Sequence, residues 1–150
     1  MLKATTTERY VRVTRVILVD TSVMIDYLKG RTSDKVLLLE EVLQRNIPFG
    51  ISAFTYQEIL QGARNEQEWE TLKNYLSTQA IYYINPESEE YEKSARLYYE
   101  LRRNGATPRS TIDVLIALTA MKNNLALLHD DKDFDIMADH IPELMILERF

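Results

Sequence analysis

The sequence predicts an α/β fold, a mostly parallel central sheet covered by helices on both faces, and three observations carry that prediction. Short apolar, β-branched runs recur at residues 16–19, 49–52, 80–84 and 126–129, with a weaker one at 145–147. Helical patterns fill the gaps between them, and those gaps are long enough for crossover connections instead of hairpin turns. Strands joined in that way run parallel and need cover on both faces. A chain of 150 residues that is 45% hydrophobic can furnish the core that such layers enclose.

The first strand lies in VILVDTSVMIDYL and stops on a carboxylate, Asp20, with Ser22 placed to cap the helix that follows. Next comes a segment of strong helix formers around Leu37, Leu38, Glu41 and Val42, which ends before Ile47 and Pro48. The second strand leads into SAFTYQEILQG, an amphipathic helix that carries Ile59, Leu60 and Ala63 toward the core, with Thr55 and Glu58 spaced as a capping pair. After the third strand, Tyr91, Ala95, Tyr98 and Leu101 recur at helical spacing between Pro86 and Gly105. The clearest loop is NGATPRS, residues 104–110, because Gly, Pro and small polar residues separate two helical patterns. In TIDVLIALTAM the residues are apolar around nearly the whole helical circumference, which marks an enclosed helix. Asp113 is its only charge. The fourth strand, ALLH, is followed two residues later by Asp131 and a last short helical pattern.

No repeat, low-complexity tract or linker divides the chain, so one compact domain is expected over residues 16–150. Ahead of it, residues 1–15 form an N-terminal arm expected to be flexible, where Lys3, Arg9, Arg12 and Arg15 face the single acid Glu8. The absence of cysteine excludes disulfides, thiolate metal sites and cysteine nucleophiles. Apolar runs such as VLIAL fall far short of the roughly 20 residues that cross a bilayer, and a soluble, cytoplasmic protein is expected. The net charge of −5 argues against nucleic-acid binding by general positive charge alone, but not against a nuclease that gathers carboxylates around cations.

Ligands of open parallel sheets bind beyond the carboxyl ends of the strands, which is where Asp20 and Asp131 fall. Asp113 projects from an enclosed helix, and a buried ionised carboxylate needs a cation or donors to compensate it. Taken singly, each acid also has a structural account. Ser110 with Asp113 and Thr55 with Glu58 are spaced as capping boxes, and Asp131 fits the first turn of a helix. Other chemistries fit less well. DKDFDI from Asp131 opens like a calcium loop but has Ile136 where glycine is required and Pro142 where glutamate is required. A phosphoaspartate enzyme usually has a second Asp two residues after the first, where this chain has Ser22. His129 and His140 lack metal-ligand spacing, and His129 reads as a packed, hydrogen-bonded side chain.

VILVDTSVMIDYL, SAFTYQEILQGA, GATPRSTIDVLIALTA and ALLHDDKDFDIMA together resemble, in order and spacing, the four acidic motifs of PIN-domain ribonucleases, and in particular the VapC toxins of toxin–antitoxin modules. The resemblance spans residues 16–147. It implies a PIN-like three-layer α/β/α fold and carries the family's metal-binding acids onto Asp20, Glu58, Asp113 and Asp131, with Asp133 as an accessory ligand and Asp130 as a rival for the fourth place. Ser22 matches the position that braces the acidic cluster, and Arg109 looks like a residue able to reach a phosphate. The acids suit magnesium or manganese, hard cations that can activate water and offset charge on a departing oxygen. The implied activity is endoribonuclease cleavage leaving a 5′-phosphate and a 3′-hydroxyl, restrained by a cognate antitoxin protein, in a homodimer for which the Tyr91, Ala95, Tyr98 stripe is one candidate surface. Two alternatives stay open, a non-catalytic module gripping a basic peptide and a DNA-directed nuclease on the same fold.

Overall fold

The computed structural model describes residues 15–85 and 87–150. The arm expected at residues 1–15 lies outside them except for Arg15. Among the described residues the strands are β1 (Ile17–Val19), β2 (Phe49–Ser52), β3 (Ala80–Tyr82), β4 (Ala126–Leu128) and β5 (Met145–Ile146). The helices are α1 (Thr21–Leu28), α2 (Asp34–Gln44), α3 (Ala53–Gln61), α4 (Glu66–Leu76), α5 (Ser88–Arg103), α6 (Thr111–Lys122) and α7 (Lys132–His140). All strand pairs are parallel, in the order β3-β2-β1-β4-β5, as the crossover-length gaps predict. Among the described residues no helix is long and apolar enough to cross a membrane.

Strand alternation divides the core. Ile17, Val19, Ile51, Ala126 and Leu128 point to one face and pack with Val23, Met24, Leu39, Val42 and Ile59 of α1, α2 and α3. Leu18 and Leu127 point to the other, against Leu101 of α5, Val114 and Ile116 of α6, and Phe134 of α7. A period of two thus turns each short central strand into a two-sided apolar wedge. Helix α6 is buried from Val114 through Ala120, the enclosure its apolar circumference predicts. Where β2 meets β3 the backbones approach so closely that a Cβ on Gly50 would stand 2.5 Å from the Ala80 carbonyl oxygen and 2.7 Å from Tyr82 Cε2. Only glycine fits there.

Two caps differ from expectation. The N-cap of α1 is Asp20, whose carboxylate accepts from the Ser22 amide, so Ser22 sits inside the first turn. The N-cap of α3 is Ser52, whose hydroxyl accepts from the Thr55 amide, so Thr55 and Glu58 do not form a capping box and Glu58 is released for another partner. In both cases the strand runs directly into the helix and the last strand residue, or the one after it, takes the cap.

The strand order reverses at β1. From β1 the chain moves outward to β2 and β3, then crosses back to lay β4 on its other side. The crevice beyond the carboxyl ends of β1 and β4 is therefore the topological switch point of the sheet.

Candidate active site

Asp20 lies at that crevice because its amide donates to the Leu128 carbonyl at 2.9 Å, continuing the β1–β4 ladder one residue past β1. Its Oδ2 accepts from the Ser22 amide at 3.1 Å and from the Ser22 hydroxyl at 2.7 Å. The same hydroxyl oxygen accepts from the Asp130 amide at 3.0 Å, so Ser22 ties together the exits of two adjacent strands. Asp20 is 4% exposed, and its Oδ1 is buried without a partner among the described residues. Burial pushes its carboxyl above the usual carboxylate range, the Ser22 donors oppose that shift, and the nearby Glu58 charge adds to it.

Glu58, on α3, reaches the crevice through a chain of hydroxyls. Thr21 Oγ1 lies 2.8 Å from Glu58 Oε1 and 3.0 Å from Thr55 Oγ1, and Thr55 Oγ1 lies 3.2 Å from Ser52 Oγ. Each hydroxyl has one proton and an ionised carboxylate only accepts, so Thr21 donates to Glu58, Thr55 to Thr21, and Ser52 to Thr55. Ser52 and Thr55 are fully buried. Thr21, Thr55 and Ser52 had no assigned part in the site from sequence. The available signal was a row of hydroxyls at two strand exits, DTS and ISAFT, and nothing in either stretch says that they meet.

Asp113 stands in the first turn of α6, whose N-cap Ser110 accepts from the Ile112 amide at 3.1 Å. Its carboxyl is pushed up to about 7, first by burial and then by the negative charges of Asp20, Asp131, Glu58 and Asp133. All five influences act in the same direction, so four acids from three other parts of the chain converge on this one. Asp113, Asp131 and Asp133 each present a ligand oxygen, and these oxygens lie within 4.8 Å of one another.

Asp131 is the N-cap of α7, its Oδ1 accepting from the Asp133 amide at 3.0 Å. Asp130 is exposed, and its amide rather than its carboxylate is engaged. Arg109 reaches both members of the α7 pair. Its amide and Nε each donate to Asp133 Oδ2 at 3.1 Å, and its Nη2 donates to Asp131 Oδ1 at 3.3 Å. His129 is 1% exposed, with Nδ1 accepting from the Asp131 amide at 3.1 Å and its ring 5.0 Å from that of Phe134. Nε2 lies 3.3 Å from Asp135 Oδ1 without forming a hydrogen bond. Burial lowers the imidazole pKa despite the Asp135 charge, so His129 is a neutral packing residue, as its place at the end of an apolar strand suggests.

The donor set of Asp113, Asp131 and Asp133 is all carboxylate oxygen, and the buried Oδ1 of Asp20, also at the crevice, has no partner among the described residues. A hard divalent cation fits such a set, whereas a soft metal would find no thiolate or paired imidazole.

Known proteins resemble this chain over most of its length. "VapC ribonuclease Mb1587" of Mycobacterium bovis is 28% identical over 123 residues, covering 81% of this chain and 91% of that protein. "Ribonuclease VapC11" of Mycobacterium tuberculosis matches to the same extent. Among solved structures, VapBC2 from Rickettsia felis bound to a promoter DNA fragment superposes with a TM-score of 0.67 at 23% identity over 88% of this chain and 97% of that one. A toxin–antitoxin complex from Klebsiella pneumoniae superposes with a TM-score of 0.61 at 26% identity over 86% of this chain and 95% of that one. The PIN domain family model matches residues 17–139, from the first residue of β1 to within one residue of the end of α7. That span holds every acid of the crevice, and the chain belongs to the PIN domain family.

Proposed function

We propose that this chain is a magnesium- or manganese-dependent endoribonuclease toxin, cytoplasmic, and held inactive by a cognate antitoxin. One observation carries the reading: carboxylate oxygens of Asp113, Asp131 and Asp133 lie within 4.8 Å of one another, beside a buried Asp20 whose Oδ1 has no partner among the described residues. So many converging acids are costly unless a cation shares them. The names of the mycobacterial relatives, both VapC ribonucleases, and of the structural neighbours, VapBC toxin–antitoxin complexes, support RNA as substrate and an antitoxin as partner.

In this reading Asp20 and Asp113 are direct ligands, with Asp131 and Asp133 completing the set. An ion held by these residues would supply Lewis acidity, which lowers the pKa of water and offsets charge on the phosphate and the departing 3′-oxygen. Thr21 occupies Glu58 Oε1 and leaves Oε2 to accept the proton of the attacking water. Ser22 fixes Asp20 by bonding Oδ2, and Oδ1, without a partner among the described residues, is the oxygen with which Asp20 would hold the ion. Attack by water instead of the ribose 2′-oxygen leaves a 5′-phosphate on one product and a 3′-hydroxyl on the other. The same reading includes a homodimer, supported by an apolar groove of about 370 Å³ between α5 and α6, lined by Tyr91, Ala95, Tyr98 and Leu115, in which Tyr91 is 50% exposed.

The test is cleavage of a mixed RNA pool by the purified full chain with magnesium or manganese, beside Asp20→Asn and Asp113→Asn variants. Metal-dependent cleavage by the wild type, lost in both variants, is expected. Equal cleavage by all three would reject the site. No cleavage with either metal would favour a non-catalytic module, and preference for single-stranded or flap DNA would favour a DNA-directed nuclease.

A further inference from the structure

Arg109 makes three bonds to the acids of the α7 end, and they differ in kind. Its amide and Nε hold Asp133 Oδ2 at 3.1 Å in a partly buried setting, and Asp133 itself is 9% exposed. Nη2 reaches Asp131 Oδ1 at 3.3 Å, an exposed and longer bond to an oxygen that already accepts from the Asp133 amide. The root of the side chain is thus anchored while its far end sits at the rim, where the side chain as a whole is 75% exposed. That far end touches Asp131, one of the three carboxylates whose oxygens lie within ligating distance of one another, and Asp20 adds a buried oxygen with no partner among the described residues.

We infer that Arg109 is a counter-ion built into the acidic crevice, a positioning residue that holds Asp131 and Asp133 before a divalent cation binds and, once displaced from Asp131, turns its freed Nη2 to the substrate phosphate. The inference rests on the nuclease reading for its second half only. A guanidinium and a divalent cation compete for the carboxylates at close range, so the arginine weakens metal binding. The same guanidinium favours a phosphate, which five acids would otherwise repel, so it strengthens substrate binding. Loss of the positive charge therefore moves the two affinities in opposite directions. A residue that merely fastened the 104–110 loop to α7 would behave differently, because its loss would loosen Asp133 and weaken the metal site.

The experiment is calorimetric titration of manganese into the full wild-type chain, Arg109→Met and Arg109→Lys, with KM and kcat for RNA cleavage measured on the same preparations. Arg109→Met is expected to bind manganese about 5- to 30-fold more tightly than wild type, within the usual span of coupling between two sites. Its KM for RNA should rise, and Arg109→Lys, which keeps the charge, should return the metal affinity toward wild type. Manganese affinity unchanged or weakened in Arg109→Met overturns the inference, as does the absence of binding to all three proteins. Manganese binding by the wild type without RNA cleavage would defeat the nuclease reading alone, and the affinity ratio would still decide the role of Arg109.

Discussion

Thr21 and Glu58, 37 residues apart in sequence and on different helices, share a 2.8 Å hydrogen bond at the mouth of the crevice. The bond depends on the direct passage of β1 into α1 and of β2 into α3, which puts the first turns of the two helices side by side. Thr21→Val keeps the shape and removes the only proton in the chain of hydroxyls that reaches Glu58. Residues that orient a ligand or base typically matter by 10- to 100-fold in activity, so kcat for RNA cleavage should fall by about 10-fold or more. Thr21→Ser should recover most of it and keep the urea midpoint near that of wild type, whereas Thr21→Val also leaves the buried Thr55 hydroxyl without its acceptor and should lose about 1–3 kcal/mol of stability.

Ser22→Ala removes a donor to Asp20 and the acceptor for the Asp130 amide. Leaving part of a buried carboxylate without its donor costs about 1–3 kcal/mol. Urea denaturation should show a loss of that size, with the m-value unchanged because the surface exposed on unfolding is the same.

Asp113 makes the metal-free protein sensitive to pH. Its carboxyl is pushed up to about 7 in the fold, against 3.8 for an unperturbed aspartate. Between those values the native state holds a proton that the unfolded chain has given up, so this group makes stability fall as pH rises through the window and adds no further change above about 7. Asp113→Asn should therefore be the more stable protein at pH 8 without metal, by about 1–2 kcal/mol once the solvent screening of a partly exposed carboxylate is allowed for. At pH 4 the two should melt alike. Manganese should reverse the order at pH 8, raising the melting temperature of the wild type and leaving the variant where it was.

Gly50→Ala tests the close approach of β2 and β3. The new Cβ would meet backbone at Ala80 and the ring of Tyr82, and overpacking of this kind costs about 1–3 kcal/mol. A lowered thermal midpoint with unchanged manganese affinity is expected, since the strain lies on the far side of β2 from β1 and β4.

Much of this was legible in the sequence because it depends on local pattern. The five apolar runs became five strands, each no longer than its run: the third ends its pairing at Tyr82, and Tyr83 is 65% exposed. The apolar circumference of α6 foretold its enclosure, and the lone Asp113 within it marked the centre of the acids. Helix α4 went unremarked because its sequence is polar and Leu76 is its only fully enclosed residue. The caps of α1 and α3 differ from the expected residues for another reason. Asp20, Ser22, Ser52 and Thr55 all have capping side chains, and only the point at which each strand ends decides between neighbours. Contacts that cross elements, Thr21 with Glu58 and Arg109 with Asp133, left no trace in spacing, since they arise from the order of strands in the sheet.

The most direct measurement is anomalous diffraction from crystals soaked in manganese. A peak touching both Asp20 and Asp113, absent from Asp20→Asn crystals, is the predicted result. Manganese bound elsewhere, or the same peak retained in the Asp20→Asn protein, would contradict the claim that these converging carboxylates form a metal centre.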